Sequence, residues 1–283
     1  MLADSHVHFF SPGFAEALPV SCRRSSPDEL TLYKAFRELH DIKAVLAVGF
    51  QGLPAHEHNN DYLASIVSDH DWLYPLAYVK PTALNVKLLE ARHVQKFIGL
   101  SLYLLSDQDA ADLATVNDDA WAWLAEHQAL VSVNTRGKSW EAWVPILKRH
   151  PKLRLMVSHL GLPGKWASVP SSQEVTDALA AVTALAVFPE VRVKFSAFYA
   201  TSEPYYDFPH AQAVPVMEHL AHAFGVQRLV WGSDFCPALE YVSFPQTFAV
   251  LDRWTKVSGE QRDAIKANNL LALIDETTMG RDV

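Results

Sequence analysis

The sequence predicts an α/β chain closed into a single (β/α)8 TIM barrel, one domain over residues 1–283, and three observations carry that expectation. Its 283 residues sit close to the roughly 250 typical of such a barrel. About eight short runs of apolar, β-branched or aromatic residues alternate with longer stretches of helical spacing, which is how repeated βα units read. The first run ends His8-Phe9-Phe10-Ser11-Pro12, where an open dinucleotide-binding sheet would carry G-x-G-x-x-G.

The predicted strands cover residues 2–10, 42–50, 73–80, 97–104, 130–136, 153–160, 191–198 and 228–235. Helices are expected over 26–40, 60–70, 117–128, 139–150, 172–188 and 211–224, several opened by a Ser, Asp or Asn suited to N-capping. A last helix over 261–274, with Asn268 and Asn269 near its middle, would close the structure after the eighth strand. Trp121, Trp123, Trp140 and Trp143, among eight tryptophans, stand at helical spacings and read as packing residues.

Hydrophobic residues make up 49% and charged residues 20%, with no long Pro/Ser/Gly-rich or single-sign run to mark a linker. A net charge of −8 without a Lys/Arg stripe argues against affinity gained by neutralising phosphates, so nucleic acid is not an expected partner. Cys22 and Cys236 are the two cysteines, too few for a disulfide scaffold and read as reduced thiols. The opening Met-Leu-Ala-Asp-Ser-His lacks the basic and apolar regions of a signal peptide, and no apolar stretch approaches the ~20 residues of a membrane span. A cytoplasmic location, no membrane contact and a small-molecule substrate are expected; oligomeric state is not readable.

Asp4-Ser5-His6-Val7-His8 lies in the first strand, and residues two apart on a strand share a face, so His6 and His8 enter the barrel together. A second H-x-H, His56-Glu57-His58, falls on a loop and is assigned a solvated surface role. The sixth run ends Met156-Val157-Ser158-His159 and the eighth Trp231-Gly232-Ser233-Asp234, placing an imidazole and a carboxylate where barrel enzymes hold their active sites. A carboxylate after a buried strand is costly unless it caps a helix or serves a site. Three separated strands thus deliver metal-ligating or proton-transfer groups to one mouth.

Together with Val157–Pro163, Val-Arg-Val-Lys-Phe-Ser over 191–196 and Ala267-Asn268-Asn269-Leu270-Leu271, these stretches resemble the amidohydrolase superfamily. The branch they resemble is its amidohydrolase-related (family 2) group of sugar-lactone and 2-pyrone-4,6-dicarboxylate lactonases and aminocarboxymuconate semialdehyde decarboxylases. The resemblance runs in order over nearly the whole chain. It implies that His6 and His8 are the first-strand pair, His159 the sixth-strand histidine and Asp234 the last-strand acid or base.

Two departures from that pattern matter. Metal-dependent relatives supply a histidine from the fifth strand, where this chain has Asn134, a weaker partner for zinc. One divalent metal, zinc, held weakly by His6, His8 and Asp234 with an open position for water, is therefore the cofactor expected, if any. The lactonases often end the fourth strand in Gly-Val-Arg, whereas Gly99-Leu100-Ser101-Leu102-Tyr103 has no arginine to clamp a carboxylate. Arg136, Lys80, Arg23 and Arg24 are the substitutes from other loops. Asn134, Ser196 and Tyr199, with Tyr205 and Tyr206 beyond, complete the substrate-binding candidates; Cys236 reads as a buried, inert thiol.

The expected function is hydrolysis of a lactone, Asp234 activating water while His6, His8 and His159 polarise the carbonyl, with or without a metal. The alternatives are a zinc-dependent non-oxidative decarboxylase of the same branch and a non-catalytic binding barrel.

Overall fold

In a computed structural model of the chain, residues 1–14 and 28–280 are described; Cys22, Arg23 and Arg24, and the first two residues of the helix expected over 26–40, lie outside them. Eight parallel strands stand side by side in chain order: β1 (Leu2–Val7), β2 (Ile42–Val48), β3 (Leu73–Tyr78), β4 (Gly99–Tyr103), β5 (Leu130–Asn134), β6 (Arg154–Val157), β7 (Arg192–Phe195) and β8 (Leu229–Trp231). Past its last ladder residue β8 meets β1, where Asp234 N donates to His6 O at 2.9 Å, His8 N donates to Phe235 O at 2.5 Å and Val7 bridges Phe235 in parallel. Gly232 is required at this seam, since a Cβ there would come within 2.9 Å of His6 Cβ and Ser5 Oγ.

Strand alternation sorts the apolar residues into two layers. Leu100, Leu102, Val131, Val133, Leu155, Val157, Val193, Phe195 and Trp231 face the surrounding helices. Leu46, Leu76, Leu130, Met156 and Val230 fill the barrel interior with Leu270, Leu273 and Ile274 of the last helix. In β1 the parity changes across an irregular register between Asp4 and Val7. Ala3 belongs to the interior and Val7 to the outer layer, and the shift turns His6 and His8 inward.

The helices are α1 (Glu29–Leu39), α2 (Asn59–Val67), α3 (Val86–Val94), α4 (Asp107–Asp112), α5 (Asp118–Glu126), α6 (Trp143–Arg149), α7 (Ser172–Thr183), α8 (Ala213–Phe224), α9 (Gln246–Asp252), α10 (Gly259–Asp263) and α11 (Asn269–Glu276). Side-chain caps begin several: Asp28 accepts from Thr31 N, Asn117 from Asp119 N, and Ser171 forms a capping box with Glu174. The closing helix expected over 261–274 is present as a continuous helical run of α10, a π-helical turn at Ala264–Asn268 and α11. Asn269 explains its seat: its amide donates to Val226 O at 2.9 Å and Leu229 O at 2.8 Å, fastening the plug where β8 starts.

Trp121, Trp140 and Trp143 are fully buried, and Trp123 stacks on His127 at 3.7 Å. Among the described residues no helix is long and apolar enough to cross a membrane.

Candidate active site

The predicted strands run one to four residues beyond the C-terminal ends of the observed ladders, and those extra residues carry much of the chemistry at the C-terminal mouth. His159, Ala197 and Asp234 adopt positive φ values of 53°, 51° and 60° just past β6, β7 and β8. Left-handed backbone at non-glycine residues costs of order 1–3 kcal/mol each and clusters at functional sites.

His6, His8, His159 and Asp234 are brought together. His6 and His8 approach Nε2 to Nε2 at 3.2 Å, the His6 and His159 rings are 4.3 Å apart, and His6 Nε2 lies 3.8 Å from Asp234 Oδ1. The ligand atoms of His6, His159 and Asp234 all fall within 4.8 Å of one another. His8 lies beside that trio, its Nε2 3.2 Å from His6 Nε2. Two imidazole nitrogens and a carboxylate oxygen at this spacing suit a zinc ion in donor type and number.

Ser196 binds His159 through its hydroxyl, 3.0 Å from Nδ1, and Tyr199 donates to Asp234 Oδ2 at 2.6 Å. Asn134 shares a side-chain hydrogen bond with the buried Tyr103 hydroxyl. Lys80 and Arg136 are exposed at the ends of β3 and β5 and do not join the cluster. Tyr199 also stacks on Tyr241 at 4.7 Å, which meets Tyr205 at 5.2 Å, forming an aromatic wall outward from Asp234. Tyr206 is 74% exposed and stands apart from it.

One correction concerns the other candidates. His56, read as solvated, is buried and stacks on Phe10 at 3.9 Å, with Phe10 stacked in turn on His8 at 5.6 Å; only His58 is exposed. The loop folds back over the aromatic end of β1, and stacking outweighs imidazole hydration there. Cys236 is buried, as expected, and burial and the neighbouring Glu29 carboxylate push its thiol far above the usual range.

Lys194 and Asp4 carry weight that the sequence reading did not assign. Lys194 is fully buried in β7, its Nζ donating to Ser132 Oγ at 2.7 Å and lying 3.4 Å from His6 Nδ1. Ser132 in turn reaches the Ser158 hydroxyl at 3.3 Å. The signal was present in Val193-Lys194-Phe195-Ser196, since Lys194 sits two residues before the selected Ser196 and shares its face. Asp4 accepts from Ser233 N at 2.8 Å, His6 N at 3.2 Å and the Tyr33 hydroxyl at 2.8 Å, bracing the seam from outside.

Burial dominates the electrostatics. It pushes Asp234 up to about 7, against the Tyr199 hydrogen bond and the Lys194 charge, which lower it. Asp4 is raised to about 6 and Lys194 lowered to about 7 by the same cause. Burial, with the Lys194 charge, lowers His8 to about 4, His159 to about 3 and His6 well below its usual value, so all three rings are neutral at pH 7. The cluster therefore offers neutral imidazoles beside a carboxylate poised near neutrality, a combination suited to general acid–base chemistry.

A family model described as amidohydrolase matches residues 3–273. L-fucono-1,5-lactonase of Burkholderia ambifaria is 25% identical over 246 residues, covering 82% of this chain and 79% of the relative. An amidohydrolase from Burkholderia multivorans, solved with HEPES (TM-score 0.78) and with zinc (TM-score 0.76), is 18% identical and aligns over 97% of this chain and 99% of its own. A probable 2-pyrone-4,6-dicarboxylic acid hydrolase from Acinetobacter baumannii, with citric acid bound, has a TM-score of 0.72 at 16% identity over 97% and 99% of the two chains. At these identities the solved structures establish likeness of fold.

Proposed function

The chain belongs to the amidohydrolase family, and on that premise we propose that this hydrolase opens a neutral sugar lactone with Asp234 as its proton-transfer group. The observation that carries the reading is the setting of Asp234: buried, raised to about 7, held by Tyr199 on one oxygen and 3.8 Å from His6 Nε2 on the other. A base with a pKa near the working pH combines the right protonation state with a useful driving force.

Water attacks the lactone carbonyl carbon as Asp234 takes its proton, and the developing oxyanion is stabilised by hydrogen bonding from the histidine side of the site. Collapse breaks the bond to the ring oxygen, and Asp234 returns the proton to that alkoxide, giving the hydroxy acid. Tyr199 keeps the carboxylate oriented, and Ser196 fixes the His159 ring. His6, His159 and Asp234 are the residues that would hold a zinc ion, which when bound supplies Lewis-acid polarisation of the carbonyl.

A neutral polyol suits this mouth better than a dicarboxylate. Carboxylates are held by paired cations, above all bidentate arginine, yet of the candidate clamps among the described residues Lys80 and Arg136 are exposed and β4 brings no arginine. The Tyr199, Tyr241 and Tyr205 wall and the Tyr103 hydroxyl offer instead apolar faces and hydroxyl groups. The lactonase relative acts on a sugar lactone by its name, in line with this choice.

The test is purified protein assayed for acid release from neutral aldonolactones and from 2-pyrone-4,6-dicarboxylate, and for carbon dioxide release from aromatic carboxylic acids. Turnover of aldonolactones with the higher kcat/KM is expected. A faster dicarboxylate would overturn the substrate class, carbon dioxide release the hydrolytic reading, and binding without turnover the catalytic one.

A further inference from the structure

His8 is held along one edge, where its Nδ1 lies 2.8 Å from the Val48 carbonyl. A ring hinged at one edge can still tilt, so what meets its face decides where Nε2 points. That face is covered by Phe10, whose ring lies 5.6 Å away at an interplanar angle of 8°. His56 stacks on Phe10 at 3.9 Å. Two polar side chains from outside the mouth grip the peptide that carries Phe10. Asn59, the first residue of α2, donates from Nδ2 to Phe9 O at 2.7 Å. Glu29, the first residue of α1, accepts from Phe10 N at 2.9 Å. The carbonyl and the N–H of a single peptide group are thus both held. Glu29 also accepts from Phe14 N and the Cys236 thiol, and Asn59 Oδ1 accepts from Phe50 N at 2.9 Å, two residues beyond Val48. Both side chains are buried.

We propose that Glu29 and Asn59 are positioning residues for His8: by clamping the Phe9–Phe10 peptide they set the Phe10 ring against the imidazole. Asn59 does a second thing, since it ties the exit of β2, which offers Val48 O, to the same peptide. Helix capping does not account for either side chain. Asp28 caps α1, and the carboxamide of Asn59 is taken up by Phe9 and Phe50. Burying a carboxylate is costly unless its oxygens find donors, and those that Glu29 finds belong to the segment after β1 and to Cys236, not to its own helix. A reacting group has to be held to about 0.5 Å by neighbours that are themselves locked. The inference rests on the reading of the histidine cluster as catalytic.

NMR of protein labelled with carbon-13 at histidine gives a readout that needs no turnover. The His8 ring protons, identified by their loss in His8→Gln, carry the ring-current shift of Phe10, and Phe10→Leu marks where they fall without it. In Glu29→Gln and Asn59→Ala these signals are expected to move from the wild-type position toward that of Phe10→Leu. In the same variants lactone kcat should fall by ~10–10²-fold, the order that ~1 Å of misplacement costs, with KM little changed, as for an interaction made in the transition state. Signals that stay in place in both folded variants overturn the proposal, and so does an unchanged kcat beside moved signals. Should neither variant fold, Phe10→Leu decides, because it leaves both clamps in place: a matching loss of kcat supports the proposal and normal turnover overturns it. A wild type with no nuclear Overhauser contact between the Phe10 and His8 rings overturns it outright. Absence of lactone turnover in the wild type would sink the lactonase reading and leave the NMR measurements to decide this one.

Discussion

Tyr199 reaches from the turn after β7 to the end of β8 and gives its hydroxyl hydrogen to Asp234 Oδ2 across 2.6 Å. This bond favours the ionised carboxylate in a site whose burial favours the protonated one. The base works only when ionised, so kcat/KM of metal-free enzyme should rise as pH increases through about 7. Tyr199→Phe removes an interaction that lowers the Asp234 pKa, so the acidic limb should move to higher pH. A pH–rate profile of both proteins checks this, and a limb that stays put or moves to lower pH contradicts it.

Asp234→Asn keeps the shape of the side chain and removes the base. Lactonase turnover should fall by ~10²–10⁴, the range of general acid–base contributions, with an unchanged circular dichroism spectrum. Near-normal kcat would remove Asp234 from its assigned role.

Asp4→Ala should act on stability. It strands Ser233 N–H, His6 N–H and the Tyr33 hydroxyl in a buried place, and each unsatisfied group costs ~1–3 kcal/mol. A loss of about 3 kcal/mol or more is expected from urea unfolding. A loss under ~0.5 kcal/mol, the size of an ordinary surface change, would show that the seam does not depend on this carboxylate.

Chelator treatment should change lactonase activity little, and elemental analysis after dialysis should find zinc well below one per chain. The resemblance implies that Asn134 stands where metal-dependent relatives have imidazole, and its side chain is engaged with Tyr103. Stoichiometric zinc that survives dialysis, with activity lost on its removal, reverses the expectation.

Lys80→Ala and Arg136→Ala remove exposed charges at the rim. With a neutral lactone each should alter kcat/KM by no more than about two-fold, the scale of a surface substitution worth ±0.5 kcal/mol. A tenfold rise in KM for either would show that the rim clamps a charged substrate.

His6, His8, His159 and Asp234 were legible because each ends or lines a strand, and strand period and barrel topology send such residues to one mouth. Lys194 was legible in principle, as a charge that shares a face with Ser196 in the run Val-Arg-Val-Lys-Phe-Ser, but its partners His6 and Ser132 come from other strands and no spacing announces them. Asp4 was hidden for another reason. The irregular register of β1 turns it out toward Tyr33, and a strict period of two would have sent it inward with His6. The burial of His56 likewise depends on Phe10, far from it in sequence.

The seam between β8 and β1 ties the catalytic set to the order in which the chain is made. Three histidines emerge from the ribosome long before their acid, and until Leu229–Trp231 and Asp234 follow, β1 and β7 each expose an unpaired edge. Incomplete chains are thus inactive and prone to pair with one another. Because Asp234 N bonds to His6 O across that seam, a refolding assay by activity is expected to follow the joining of the first strand to the last, whatever secondary structure has formed before it.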